Sequence, residues 1–310
     1  MKNYLIIIVG PTAIGKTALS IKLAQHFGCD ILSCDSRQFF KEMKIGTAVP
    51  NKDELAAANH HFIQNKSIFE HYTVGDFEKE AIAKLDELFQ KNNIQIVVGG
   101  SGLYVNAILH GFDDFPNIPN ELREKIRNEY EEKGLDFLQG KLKELDNKYY
   151  SILLKENPQT LQNPQRMMRF VEVCMASNLP YSSFLNLKKN ARNFIPIIIG
   201  LEADREIMYN RINQRVDIMM NEGLLEEAKN VYPNKELNAL QTVGYRELFD
   251  YFDGKTTLDF AVDQIKMNTR RFAKRQLTWF KRNEDTIWFD FQTETSTIIN
   301  TISEKIQNAD

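Results

Sequence analysis

The feature that most narrows the fold is an eight-residue loop, Gly10-Pro-Thr-Ala-Ile-Gly-Lys-Thr17, placed directly behind the apolar run Tyr4-Leu-Ile-Ile-Ile-Val9. The run is short, continuous and β-branched, which reads as a strand buried on both faces, the habit of a parallel sheet. Behind the loop, Lys16 to Phe27 carries apolar residues at Ala18, Leu19, Leu23, Ala24 and Phe27, a helical stripe. The loop fits GxxxxGK[ST] in the strand–loop–helix setting that this pattern requires. Its glycines let successive backbone N–H groups turn inward on an anion, and the helix N-terminus adds partial positive charge. Four constrained positions recur by chance in a chain of this size roughly once in a hundred. Gly10, Pro11, Thr12, Ala13, Ile14, Gly15, Lys16 and Thr17 are therefore expected to cradle a diphosphate or triphosphate. Lys16 supplies a mobile cation, and the Thr17 hydroxyl is the expected ligand of a phosphate-bound Mg²⁺. Nucleotide- and ATP-binding proteins use the same cradle, so the loop says phosphate bound, not phosphoryl transferred.

The alternation of strand and helix continues. Asp30 to Ser33 is a second strand candidate. Asp76 to Gln90 reads as an amphipathic helix with Phe77, Ala81, Leu85, Leu88 and Phe89 on one side, and it feeds a third run, Ile94 to Val98, ending in Gly99-Gly100. This order predicts a right-handed, doubly wound α/β sheet. The texture changes at the loop Asp113 to Asn120, which holds Pro116 and Pro119. Glu121 to Tyr149 then carries 15 Asp, Glu, Lys or Arg residues and no strand signal, and neither does the helix around Arg166 to Met175. Buried-strand texture returns at Pro196 to Gly200, and a last strand is expected at Thr286 to Asp290. The expected architecture is α/β: a P-loop doubly wound parallel sheet core (1–114 and 195–310) with an all-helical insertion domain (115–194).

Composition bounds the function classes. With 43% hydrophobic and 26% charged residues, the 310-residue chain sits in the globular range, which excludes wholesale disorder and collagen. Its 39 basic and 42 acidic residues leave a net charge of −3, so any nucleic-acid surface must be a local patch. Cys29, Cys34 and Cys174 make no CxxC pair and no even framework, which points to a reducing cytoplasm. The longest apolar runs, Leu5 to Val9 and Ile195 to Ile199, are far too short to span a bilayer. Met1-Lys2-Asn3 leads straight into the first run, so no targeting segment is expected.

The loops behind the second and third strands add chemistry. Strand C-terminal ends line the ligand crevice of open α/β sheets, so Asp35, in Cys34-Asp-Ser-Arg-Gln38, is expected to face the anion site. A lone Asp at such a position is more often a loop bracket or helix cap. A P-loop NTPase ordinarily ends another strand in an acidic residue that orients the metal. Here that strand ends Val97-Val-Gly-Gly-Ser101, with no carboxylate, and Gly99-Gly-Ser-Gly-Leu-Tyr104 offers a hydroxyl beside the same crevice.

Taken together, the loops resemble the tRNA dimethylallyltransferase (isopentenyltransferase) family. The resemblance runs in unbroken order from residue 4 to residue 290: GPTAIGKT, DSRQ, Ile45 to Pro50, His60 to Ile63, Tyr72 to Phe77, GGSGLY, Asn163-Pro-Gln-Arg166 with Arg169, Arg211 and Arg215, Gly223-Leu224, Val243 to Glu247, and Thr269 to Phe280. Ser101 stands where the family usually has Thr, which keeps the hydroxyl, and Met167-Met168 leaves the arginine spacing intact. The resemblance implies transfer of a dimethylallyl group from dimethylallyl diphosphate to N6 of the adenosine at tRNA position 37, next to the anticodon. The missing acidic strand end then fits, because diphosphate leaves intact. Asp35 becomes the general base, with Lys16 and Ser101 beside it; Ser101 reads equally as a partner of the diphosphate or of the amine. Arg215 is expected to hold diphosphate, although it and Arg211 read equally as surface ion pairs. Ser36, Arg37 and Gln38 are placed to read the acceptor base.

The RNA backbone needs cations despite the acidic total. Lys266 to Arg282 holds seven basic residues and no acidic one, with Arg270/Lys274 and Arg271/Arg275 stacked four apart on a helix. A solvated helix face usually mixes signs, so Arg270, Arg271, Lys274 and Arg275 are expected to meet phosphates. By resemblance Arg123, Gln165, Arg166 and Arg169 of the insertion hold the tRNA anticodon stem-loop from the other side. His60, His61 and the cysteines read as structural. The expected protein is a cytoplasmic monomer that uses Mg²⁺ and has no membrane partner. The competing reading is a small-molecule kinase of the shikimate-kinase type, which also pairs a P-loop with a Gly-Gly strand end but has no need of the basic helix. A non-catalytic RNA-binding module leaves the P-loop unexplained.

Overall fold

A computed structural model of the protein describes residues 2–113, 115–185 and 191–309. The chain divides into two compact units, Met1–His110 with Arg192–Asp310, and Gly111–Ala191. In the first unit the order is β1 (Tyr4–Val9), α1 (Lys16–Phe27), β2 (Ile31–Ser33), α2 (Lys52–Ala57), β3 (His60–His61), α3 (Val74–Phe89), β4 (Ile94–Val98) and α4 (Gly102–His110). The second unit holds α5 (Asn120–Leu145), α6 (Asn147–Glu156), α7 (Pro158–Leu161) and α8 (Pro164–Ser177). The first unit resumes with β5 (Ile195–Glu202), α9 (Arg205–Asn221), α10 (Leu224–Val231), α11 (Tyr245–Phe252), α12 (Leu258–Phe280), β6 (Ile287–Asp290) and α13 (Thr295–Ala309).

The six strands form one parallel sheet in the order β3-β2-β4-β1-β5-β6. All six residues of β1 are fully buried, as a strand covered on both faces must be. Successive side chains point to opposite faces, so Tyr4, Ile6 and Ile8 join a core with Leu19, Leu23, Ile298 and Ile302 from α1 and α13. Leu5, Ile7 and Val9 join the opposite core, with Phe77, Leu85, Ile108 and Phe280 from α3, α4 and α12. This is the doubly wound sheet that the alternating pattern requires. The two-residue edge strand β3 was not legible as a strand, because its residues are two histidines without apolar alternation.

Between β5 and β6 the chain builds a further helical core, where Leu224, Leu240, Tyr245, Leu248 and Ile265 of α10 to α12 and their connections pack with Phe40 and Met43. The second unit has its own core, including Ile126, Leu138, Met167 and Val171. Its long helix α5 is interrupted at Gly134, whose φ of 74° is left-handed. The chain returns to the first unit at Arg192, earlier than the expected residue 195. Arg192 Nε donates to the Ile108 carbonyl at 2.8 Å and Nη2 to the Ala107 carbonyl at 2.6 Å, which ties the returning chain to the end of α4.

Candidate active site

β1, β2 and β4 all end at one edge of the sheet, and the loops behind them form the site. The first loop departs from β1 at Gly10, where φ is +143° and a Cβ would stand 2.6 Å from the Leu201 carbonyl oxygen of β5. Ala13 (φ 64°) and Gly15 (φ 110°) are also left-handed, and these reversals turn the amides inward. Among the described residues, the N–H groups of Ala13, Ile14, Gly15, Lys16 and Thr17 donate to no protein acceptor. Five free donors at the start of a 12-residue helix make an anion nest. The Thr12 N–H is not part of it, because it donates to Oε1 of Gln276 at 2.9 Å.

Lys16 Nζ donates to the Gly10 and Pro11 carbonyls at 3.0 and 2.7 Å. Burial pulls its pKa down to about 8; Asp35 acts against that fall, and Arg215 adds to it. Arg211 and Arg215 lie one turn apart on α9 and do different things. Arg211 Nε donates to the Ala13 carbonyl at 2.8 Å, with the guanidinium 5.0 Å from the Phe291 ring centroid, so it braces the left-handed turn of the loop. Arg215 makes no hydrogen bond or ion pair with any described residue and faces the cavity above the loop. Burial lowers its pKa, with Asp35 opposing. Neither arginine is a surface ion pair.

Asp35 is a loop bracket and more. Its Oδ1 accepts the Arg37 N–H at 3.0 Å, and its own N–H donates to Ser33 Oγ at 3.3 Å. Asp35 also borders two adjoining cavities. One, of about 900 Å³, is floored by the phosphate-type loop and reached by Gln38 and Arg215. The other, of about 590 Å³, is walled by Ser101, Tyr104, Val243, Phe272 and Trp279. Thr12, Asp35, Thr47, Ala48, Arg215 and Met219 border both. Ser101 Oγ accepts the Ser36 N–H at 3.1 Å and donates to Ser36 Oγ at 3.2 Å, which locks the third loop to the second.

Arg37 and Gln38, expected to be free for a base, are anchored. Arg37 Nη1 donates to the carbonyls of Asn238 and Ala239 at 2.9 and 2.8 Å, and burial lowers its pKa. Gln38 Nε2 donates to the Thr47 and Ala48 carbonyls at 3.2 and 2.9 Å, while its Oε1 accepts from Ser33 Oγ at 3.1 Å. Both side chains hold the walls of the site in this state.

Sequence reasoning assigned no role to Glu227, yet it holds the roof. Its Oε2 accepts the Lys44 and Ile45 N–H groups at 2.9 and 2.8 Å, and its Oε1 accepts the Gly46 N–H at 2.9 Å and the Tyr245 hydroxyl at 2.7 Å. Burial, with Glu227 adding to it, pushes the Tyr245 phenol far above its usual range. Glu226-Glu227 reads as ordinary solvated helix charge, because the amides it serves are some 180 residues distant. The signal was the small residue at position 46: a Cβ there would meet the Tyr245 ring at 2.7 Å.

The basic row on α12 divides. Lys266 pairs with Asp217 at 2.6 Å and Lys281 with Glu202 at 2.7 Å, so neither is held for phosphate. Arg270 Nη1 donates to Asn213 Oδ1 at 2.6 Å, with its guanidinium over the Tyr209 ring. Arg271, Lys274 and Arg275 are exposed, and no carboxylate of a described residue lies within 4 Å of them. In the second unit Gln165 and Arg166 are exposed, and Arg166 Nη1 donates to Thr160 Oγ1 at 3.2 Å. Arg169 lies 5.4 Å from the Phe115 ring, with Arg123 close enough to help burial lower its pKa, and Arg123 Nε is buried without a partner. His61 Nε2 meets Asp30 at 2.8 Å, His60 Nδ1 meets the Ala58 carbonyl at 2.8 Å, and the three cysteines are buried and free. Among the described residues there is no cluster of metal-ligating side chains, and no helix is long and apolar enough to cross a membrane.

The chain has clear relatives. The family model described as IPP transferase matches residues 38–283. A protein named tRNA dimethylallyltransferase from Flavobacterium psychrophilum is 71% identical over 306 residues, which covers 99% of this chain and all of that one. The crystal structure of the tRNA isopentenylpyrophosphate transferase of Bacillus halodurans superimposes with a TM-score of 0.72 at 34% identity, covering 99% of this chain and 98% of the other. A eukaryotic dimethylallyltransferase acting on tRNA shares the fold, with a TM-score of 0.81 at 24% identity, covering 99% of this chain and 80% of that one. The phosphate-type loop and Asp35 precede residue 38 and fall within the span shared with the relatives.

Proposed function

The chain belongs to the IPP transferase family, and from that membership we propose that it is a tRNA dimethylallyltransferase. It moves a dimethylallyl group from dimethylallyl diphosphate to N6 of the adenosine at tRNA position 37, forming N6-dimethylallyladenosine and releasing diphosphate. The observation that carries this reading is the position of Asp35, on the border between an anion nest and an aromatic-walled cavity.

Each part has a chemical task. Breaking the allylic C–O bond leaves the electron pair on diphosphate and positive charge on carbon. The largest lever is then stabilisation of the leaving group by donors already in place, here the free amides of residues 13–17, Lys16 and Arg215. As N6 bonds to the allylic carbon it loses a proton, and Asp35 takes it as general base. The Ser101 hydroxyl lies beside Asp35 through Ser36. A stacked adenosine must be splayed out to reach such a carboxylate, at a cost of a few kcal/mol that is smallest in a loop. Mg²⁺ fits the residues present: Thr17 lines the cavity at the nest, and its hydroxyl would hold the ion, with waters and phosphate oxygens supplying the other ligands. When bound there, it would neutralise diphosphate charge.

The proposed partners are dimethylallyl diphosphate and the tRNA anticodon stem-loop, met by a monomer in the cytoplasm. One chain supplies the nest, the carboxylate and a basic row, and its three thiols are free. The shikimate-kinase-type alternative is not favoured: the relatives are prenyltransferases by name, and β4 ends without a carboxylate. Radiolabelled dimethylallyl diphosphate should modify a stem-loop carrying A36-A37-A38 in the presence of Mg²⁺. Asp35→Ala should lower kcat at least about a hundredfold while donor binding survives. No transfer, or ATP turnover with a small alcohol acceptor, would remove the reading.

A further inference from the structure

Gln276 sits on the helix α12, 6% exposed, and makes no hydrogen bond to the anion nest's free amides or to Asp35. Its amide makes two hydrogen bonds to two different loops. Oε1 accepts the Thr12 N–H at 2.9 Å, and Nε2 donates to the Gly100 carbonyl at 2.9 Å. A buried amide with both ends used is a rigid strut, because freeing either end leaves a polar group without a partner. The fit around it is close. A Cβ on Gly100 would stand 2.2 Å from Gln276 Nε2, and one on Gly102 would stand 2.2 Å from Trp279 Cδ1, one turn further along the same helix. The loop that carries Ser101 therefore lies flat on α12, pinned at 100 and packed at 102. From Ser101 the bonds continue, since its Oγ accepts the Ser36 N–H next to Asp35.

We infer that Gln276 is a positioning residue for the prenyl transfer proposed above, on which this inference rests: it joins the donor-binding loop at Thr12 to the Ser101 loop and, through Ser36, sets the place of Asp35 relative to bound diphosphate. The free amides of residues 13–17 remain when the strut is cut, so donor binding persists. What is lost is the register between the anion nest and the base. Gln276 acts through Ser101, not on the substrate.

The test uses the full chain with Gln276→Met, which keeps the volume and removes both hydrogen bonds. Gln276→Glu, a second variant, keeps the acceptor toward Thr12 and loses the donor toward Gly100. For each, kcat is expected to fall at least tenfold, with donor binding by calorimetry near one per chain and its Kd changed less than threefold. Combined with Ser101→Ala, either variant is expected to be no slower than Ser101→Ala alone. Amide hydrogen exchange reads the strut without turnover: Gln276→Met should speed exchange at both Thr12 and Ser36. Turnover within about twofold of wild type, or losses that multiply with those of Ser101→Ala, would overturn the inference. So would unchanged exchange at Ser36. A wild-type chain that transfers no prenyl group sinks the functional reading instead, and the exchange measurement still decides whether the strut transmits to Ser36.

Discussion

At the scale of single residues, charge and burial decide what each polar group does. Lys16 is the clearest case. In the free protein it sheds its proton as pH rises through about 8, because burial penalises the charged form. A bound diphosphate reverses that penalty and keeps the ammonium charged, so binding above this pH must take up a proton. Donor affinity should therefore fall as pH rises from 8 to 10, with a slope approaching one in log Kd per pH unit. Lys16→Arg, which stays charged across that range, should bind with a different absolute affinity but a flat profile. Calorimetry across pH checks both, and a flat wild-type profile would contradict the account. Arg211 and Arg215 teach the same lesson from the other side. One turn apart on the helix, both read equally as surface ion pairs before the structure gave Arg211 a carbonyl and left Arg215 facing a cavity.

At the scale of elements, α12 looked like one purpose and has three. Its buried side carries Ala261, Ile265, Ala273 and Phe280 into the cores, and Gln276 into the site. From Lys266 to Arg282 the charged residues looked uniformly basic, yet Lys266 and Lys281 spend their charge on Asp217 and Glu202. Those carboxylates come from distant segments, which no pattern local to α12 reports. Arg271, Lys274, Arg275 and Arg282 are exposed without an ion pair to any described residue, which leaves them available to the RNA backbone of the proposed reaction. Arg271→Gln and Arg275→Gln should each lower the slope of log affinity against log salt by about 0.7–0.9, one phosphate contact apiece. Lys266→Gln and Lys281→Gln should leave that slope unchanged. Filter binding of tRNA over a salt series separates the two groups.

At the scale of the whole molecule, the insertion is separable by construction. It has its own core, and the chain leaves and re-enters the first unit at neighbouring points, where Arg192 bonds the Ala107 and Ile108 carbonyls. Replacing residues 111–191 with a short Gly/Ser linker should therefore leave a folded first unit whose donor Kd stays within about threefold, while tRNA modification disappears with Arg123, Arg166 and Arg169. Loss of donor binding would show that the nest depends on the insertion. The sequence by itself determined the sheet and the phosphate-type loop. Buried strands and a glycine-bent loop depend on local period and backbone freedom, and both are written in adjacent residues. Only the tertiary structure decided that Glu227 holds the 44–46 loop, that Arg37 and Gln38 are anchored, and that Gln276 spans two loops. Each of those side chains bonds backbone groups, and a backbone amide or carbonyl looks the same at every position until the fold brings one within reach.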